Sequence, residues 1–140
     1  MDKASITALL EKHDILPTSQ RVEIAALMLA EHQHMSADQV LAHIRLSGEA
    51  AVSKATVYNT LGLFAEKGLL REVIVDPTKV FYDSNTHPHR HFYNVDDGRL
   101  IDFDAAECAI SNLPEPPAGT VAEGVEVIVR IRQNRTAAAS

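Results

Sequence analysis

At Gly68 the hydrophobic rhythm of this chain changes, and that change limits the folds open to it more than any other feature. Before Gly68 apolar residues recur at helical spacing; after it they alternate in twos, as in strands. Ile6, Leu9 and Leu10 mark a helix over 5–13. Thr18, just after Pro17, is placed to cap a second helix whose apolar stripe is Val22, Ala25, Ala26 and Leu29. Ser36 and Gln39 have capping-box spacing and open a third helix, with Val40, Leu41 and Ile44 inward and Gly48 after its end. Ser53 opens a fourth over 53–67; Val57, Leu61 and Phe64 fall at i, i+4 and i+7, and Gly68 stands where a left-handed C-cap belongs. Then "LREVIV" and "KVFYD" flank the turn "DPTK". Helices followed directly by a hairpin describe a winged helix, whose last helix is the natural one to enter a DNA major groove. A helical bundle with an appended hairpin fits the periodicity equally well.

The second half reads mostly as strand. "HFYNV" and "RLIDF" flank Asp97-Gly98, a hairpin turn signal. "AAECAISNL" predicts a short helix stopped by "PEPP". "VEVIVRIR" predicts a last strand with Val125, Val127, Val129 and Ile131 on one face, and Glu126, Ile128, Arg130 and Arg132 on the other. A small sheet with one helix of its own keeps a face or edge uncovered, which a second copy of the chain can cover. The expected class is α+β: an N-terminal winged-helix DNA-binding domain over 1–84, a small α/β dimerisation and metal-sensing domain over 85–135, and a disordered tail over 136–140.

An apolar fraction of 46% is enough for a real core. No run of 18 apolar residues exists, and Asp2 stands in an N-terminus without a signal-peptide cleavage site, so a cytoplasmic chain without a membrane span is expected. The lone Cys108, expected to be buried in its helix, cannot form an internal disulfide or a structural zinc site built from Cys pairs. The net charge of −6 weighs against nucleic-acid binding, but it is unevenly spread. Residues 1–71 carry seven Lys/Arg against eight Asp/Glu, and residues 72–140 six against eleven, so the helical half is nearly neutral.

The stretch "NTHPHRHFYN" places His87, His89 and His91 at every second position, so that in a strand all three project from one face. Pro88 belongs at a strand start, which puts His87 at the margin. Asp83 lies six residues before His89, and Asp102 falls on the partner strand of the hairpin. Imidazole and carboxylate without thiolate suit Mn(II), Fe(II) or Zn(II) rather than Cu(I). The competing reading is a water-exposed edge strand rich in histidine. His13, His32 and His43 have no such company and are expected at the surface.

The order of winged helix, histidine cluster and small sheet resembles the ferric uptake regulator superfamily of metal-responsive bacterial repressors over nearly the whole chain. "LPTSQR" resembles the lead-in to that family's second helix, "HMSADQV" its H-x-S-A-E-E/D segment, "KATVYNTL" its ATVYRTL recognition helix, "HPHRH" its HHHDH cluster and "GRLIDF" its GKVIEF strand. The resemblance implies a homodimer that binds double-stranded DNA at an A/T-rich inverted repeat. It implies DNA contacts from Arg21, Lys54, Thr56, Tyr58 and Asn59. By position in the peroxide-sensing branch it also implies one divalent metal per chain, Fe(II) or Mn(II) with Zn(II) able to substitute, held by His34, Asp83, His89, His91 and Asp102. Asn94 and Asp97 stand where many members carry the first of two C-x-x-C pairs, and the second pair is missing, so no structural zinc held by four cysteines is expected. Asn59 replaces the commoner Arg of the recognition helix, and Pro88 and Arg90 replace ligands of a secondary metal site. The lost Cys pairs, "FYDSNTHPHRHFY" and "LPEPPAGTVAEGVEVIVRIR" most resemble the iron response regulators of α-proteobacteria, controllers of iron and haem genes. Their Cys-Pro haem motif is missing, since Ala109 follows Cys108; His87, His89 and His91 are then the candidate haem contacts. The expected function is a metal- or haem-responsive repressor of iron and haem homeostasis. A peroxide-sensing regulator of the same superfamily is the alternative. A mononuclear metal enzyme, marked by a substrate-sized pocket beside the metal, and a passive metal-storage module stand further off.

Overall fold

The computed structural model describes residues 1–31, 33–47 and 52–138; His32 and Gly48 therefore lie outside the described residues. The helices are α1 (Lys3–Lys12), α2 (Ser19–Leu29), α3 (Ala37–Ser47), α4 (Lys54–Glu66) and a single turn, α5 (Arg135–Ala138). The strands are β1 (His34–Met35), β2 (Arg71–Asp76), β3 (Lys79–Asp83), β4 (His89–Asn94), β5 (Leu100–Asp104) and β6 (Ile128–Ile131). The chain divides into two compact units, Met1–Thr86 and His87–Ser140, a mixed α/β organisation.

In the first unit, local chemistry sets the helix starts. The Asp2 and Ser53 side chains accept from Ser5 N and Thr56 N, and Thr18 Oγ1 from Arg21 N. At α3 the capping box is reciprocal: Ser36 Oγ accepts from Gln39 N at 3.2 Å and Gln39 Oε1 from Ser36 N at 2.9 Å. Gly68 takes φ +80°, the left-handed conformation that ends α4. The core joins Ile6, Leu10, Ile24, Met28, Val40 and Ile44 to Val57, Leu61 and Phe64, all essentially inaccessible to water. Full burial of such side chains stabilises a fold by roughly 1.5–3 kcal/mol each. It also commits the inner face of α4 to packing and turns its other face outward.

The expected hairpin is β2–β3, but the sheet has a third strand, in the order β1-β3-β2. β1 pairs antiparallel with β3, His34 opposite Asp83 and Met35 opposite Tyr82. His13, expected at the surface, is half-buried, its Nδ1 2.9 Å from the Leu9 carbonyl; His43 is exposed.

In the second unit, the order is β5-β4-β6, with β5 antiparallel and β6 parallel to the central β4. Gly98 at φ +74° makes the β4–β5 turn. Asn94 Oδ1 accepts from Asp96 N at 2.9 Å, and Asp97 Oδ1 accepts from Arg99 N at 2.9 Å. The helix expected over "AAECAISNL" is reduced to a 3₁₀ turn at Ala105–Glu107, and Ile110 and Leu113 are exposed. The apolar residues of this stretch stay in water, and burial rather than propensity sustains short helices. Cys108, expected buried, is half-exposed at the end of that turn. The last strand is four residues long, shorter than expected, although Val127 O already accepts from His91 N. Where a structureless tail was expected from residue 136, Arg135–Ala138 forms one helical turn; 139 and 140 lie outside the described residues.

Candidate metal centre and nucleic-acid interface

The five residues expected to hold a metal fall on both units. In the first, the β1–β3 pairing sets His34 beside Asp83, with His34 Nε2 3.5 Å from Asp83 Oδ2. The Asp83 side chain is buried, the residue 0% exposed, and its Oδ1 accepts from Asn85 N at 2.9 Å. A buried carboxylate is expensive unless compensated, and a cation is the most effective compensation.

In the second unit, alternation along β4 puts His89 and His91 on one face, and the register sets Asp102 opposite His91. Both Nε2 atoms turn toward the same carboxylate oxygen: Asp102 Oδ1 lies 3.3 Å from His91 Nε2 and 3.7 Å from His89 Nε2. The two rings meet edge-on, centroids 4.5 Å apart. His91 is 0% exposed and His89 is buried. His89 Nδ1 is hydrogen-bonded to the His87 carbonyl, which as acceptor fixes the proton on Nδ1 and leaves the Nε2 lone pair for a ligand. Two imidazoles and one carboxylate converging on a point are the donor set expected of Mn(II), Fe(II) or Zn(II). His87 itself is exposed and precedes β4, so its backbone rather than its ring serves this group. A cavity of about 610 Å³ lined by Val95, Asp96, Arg132 and Arg135 lies at the other end of β4 from His89, not beside these histidines.

The residues expected to face DNA lie on two helices of the first unit. Lys54, Tyr58 and Asn59 are exposed on α4. Thr56 is half-buried, and its hydroxyl shares a 2.9 Å hydrogen bond with that of Ser53 in the helix cap. Arg21 is half-buried and donates from Nη1 to the Leu16 carbonyl at 3.0 Å, tied to the turn ahead of α2. Sequence reasoning missed Asp38, in the first turn of α3. Its Oδ1 accepts from the Tyr58 hydroxyl at 3.0 Å and lies 3.7 Å from Lys54 Nζ, while Lys54 Nζ stands 5.6 Å from the Tyr58 ring centroid. The hydrogen bond to Asp38 holds the Tyr58 hydroxyl pKa above its ordinary range. No local signal announces this contact, because its partners stand 20 residues apart on different helices.

The chain is 32% identical over 97 residues to the peroxide-responsive repressor PerR of Staphylococcus epidermidis, covering 69% of this chain and 63% of that one. It thus spans less than two thirds of the relative's length. The ferric uptake regulator of Pseudomonas aeruginosa, solved with manganese, is 27% identical with a TM-score of 0.64, covering 91% of this chain and 96% of that one. The ferric uptake regulator of Vibrio cholerae, at 20% identity and a TM-score of 0.68 over 91% of this chain and 98% of that one, shares the fold. These relatives are regulators, not enzymes. Residues 12–116 match the Ferric uptake regulator family, and with histidines, carboxylates and strand order arranged as above, the chain belongs to that family.

Proposed function

We propose that this protein is a metal-responsive, DNA-binding transcriptional repressor that acts as a homodimer. The observation that carries the reading is the convergence of His89 and His91 on one oxygen of Asp102. In this reading His34 and Asp83 complete the ligand set of a single divalent ion, Fe(II) or Mn(II), with Zn(II) able to substitute. A bound divalent ion supplies positive charge that offsets both carboxylates. Asp102 orients the two imidazoles, the His87 carbonyl selects the tautomer of His89, and Asp83 keeps His34 directed at its own carboxylate. The metal then favours one arrangement of the two units over others, a population shift read out as DNA affinity.

The first unit is read as the winged-helix DNA-binding domain. Lys54 serves a phosphate, Tyr58 and Asn59 face base edges, and Arg21 and Thr56 lie at the margin of the contact. The second unit is read as the dimerisation domain. Opposite the histidine face its sheet carries Phe92, Phe103, Ile101 and Val129; Ile101 and Val129 are exposed, and the Phe92 and Phe103 rings lie 4.7 Å apart. A second copy, related by a two-fold axis, can cover that face with the same face of its own.

The regulated genes are read as those of iron and haem homeostasis, following the resemblance to iron response regulators; haem, where it binds, would take His87, His89 and His91 in place of the divalent ion. Peroxide sensing is the second reading, favoured by the 32% identity to PerR. Among the described residues no helix is long and apolar enough to cross a membrane. The test is DNA affinity of apo, Mn(II)-, Fe(II)- and haem-loaded protein on duplexes selected from a random-sequence pool. A change in affinity with metal supports regulation, and identical affinity in all four states overturns it. Addition of one oxygen to His34 or His91 of the Fe(II) form under peroxide, seen by mass spectrometry, selects the peroxide reading.

A further inference from the structure

The contact that sequence reasoning missed joins the reading face of α4 to the start of α3. Asp38 sits in the first turn of α3, just after the Ser36–Gln39 capping box, where the positive end of the helix dipole favours a carboxylate. It is exposed, as are Lys54 and Tyr58 one turn apart on α4, and its Oδ1 meets both. In water such a network contributes little to stability, so its presence on a surface otherwise suited to DNA calls for another role. A carboxylate there acts in two ways. Its hydrogen bond limits the directions the Tyr58 hydroxyl can take. Its charge offsets Lys54 and repels any phosphate that approaches without the right neighbours, weakening sequence-independent attraction more than base-specific contact.

We infer that Asp38 is a specificity-determining residue of DNA recognition, positioning Tyr58 and neutralising Lys54 so that non-specific duplex is disfavoured relative to the operator. This rests on the reading of α4 as the recognition helix. Before docking, Tyr58 and Lys54 share the carboxylate. On a correct site Lys54 exchanges Asp38 for phosphate while Tyr58 keeps the orientation that Asp38 gave it. On a wrong site the exchange has no base contact to support it.

The test compares Asp38→Asn, Asp38→Ala, Tyr58→Phe and Asp38→Ala/Tyr58→Phe in the full chain with saturating Mn(II). The probes are one duplex selected on wild type from a random-sequence pool and one scrambled duplex of equal length and composition, titrated over a range of salt. Asp38→Asn keeps an acceptor for Tyr58 and removes the charge. It is expected to raise affinity for the scrambled duplex by roughly two- to fivefold and to steepen the salt slope by about 0.9, one phosphate's worth. Asp38→Ala is expected to do the same and also to weaken the selected duplex. Tyr58→Phe is expected to weaken the selected duplex in wild type and to add nothing in the Asp38→Ala background. If Asp38→Asn and Asp38→Ala leave both the affinity ratio and the salt slope unchanged, the inference is overturned. Lys54→Ala and Tyr58→Ala separate its failure from that of the underlying reading: if those two also leave both duplexes unaffected, α4 is not the recognition helix.

Discussion

Asp83→Asn offers the sharpest test of the proposed metal centre, because its effect on stability is expected to depend on whether metal is bound. The side chain is wholly buried, accepts from Asn85 N through Oδ1 and faces His34 Nε2 at 3.5 Å. Asparagine has nearly the same shape and retains an oxygen for Asn85 N, but carries no charge and is a poor ligand for a hard cation. In the apo protein the substitution relieves a desolvated carboxylate, so the variant is expected to match wild type or exceed it by up to about 2 kcal/mol. In metal the balance reverses. At a free ion concentration about one hundred times the wild-type dissociation constant, wild type gains about 2.7 kcal/mol. Losing a direct ligand weakens binding by about 100-fold, the upper end of what losing a mere outer-sphere partner costs. The variant's gain then falls to about 0.4 kcal/mol. For a unit of this size that loss of about 2 kcal/mol corresponds to a melting temperature lower by roughly 10 °C than that of loaded wild type, before any apo gain is credited. Circular-dichroism melts in chelator and in Mn(II), at one pH and ionic strength, measure both numbers. If Asp83→Asn destabilises apo and loaded protein equally, or if its gain from metal equals that of wild type, Asp83 is a structural hydrogen-bond acceptor and not a ligand.

Three further outcomes are expected. His89→Ala/His91→Ala should abolish stoichiometric metal binding, measured by elemental analysis after gel filtration, whereas exposed His43→Ala should leave one ion per chain; His13 is a poor control because it packs against the end of α1. Ser36→Ala should remove half of the reciprocal capping box and cost about 1 kcal/mol in urea unfolding, with α4-dependent DNA binding retained at low denaturant. Ultraviolet titration should find the Tyr58 hydroxyl above the ordinary tyrosine range, chiefly because of its bond to Asp38, and lower in Asp38→Ala, while Tyr82 stays raised by burial. Since the folded value lies above the unfolded one, that contribution is complete below about pH 10 and is lost as pH rises through the folded pKa.

What could be read from the chain was whatever local chemistry decides. Thr18, Ser36 and Ser53 cap helices where their spacing said they would, and Gly68 and Gly98 take the left-handed conformations their turns require. The facing of His89 and His91 followed from alternation alone, and Asp102 on the partner strand from the Asp97-Gly98 turn signal; its place opposite His91 came with the observed register. What escaped was decided at a distance. β1 is two residues long, too short to carry a period, and is a strand only because Asp83 and Tyr82 lie alongside. The helix expected after residue 104 had a period, but its Ile110 and Leu113 are not buried in the fold. Asp38 looked like one more acid in a helix's first turn until the next helix supplied its partners.

The turn at residues 94–99 bears on how such a protein lives in a cell. This chain closes the corner with the amide hydrogens of Asp96 and Arg99 on the side-chain oxygens of Asn94 and Asp97. Thiolate–zinc corners draw on the same nutrient pool that a sensor must report, and they come apart when oxidants reach the sulfur. A corner built from asparagine and aspartate does neither. This turn forms from the chain's own hydrogen bonds, and oxidants find only one thiol in these 140 residues, at Cys108. On the proposed reading, metal scarcity and oxidative stress then reach the molecule as signals at its histidines rather than as damage to this corner.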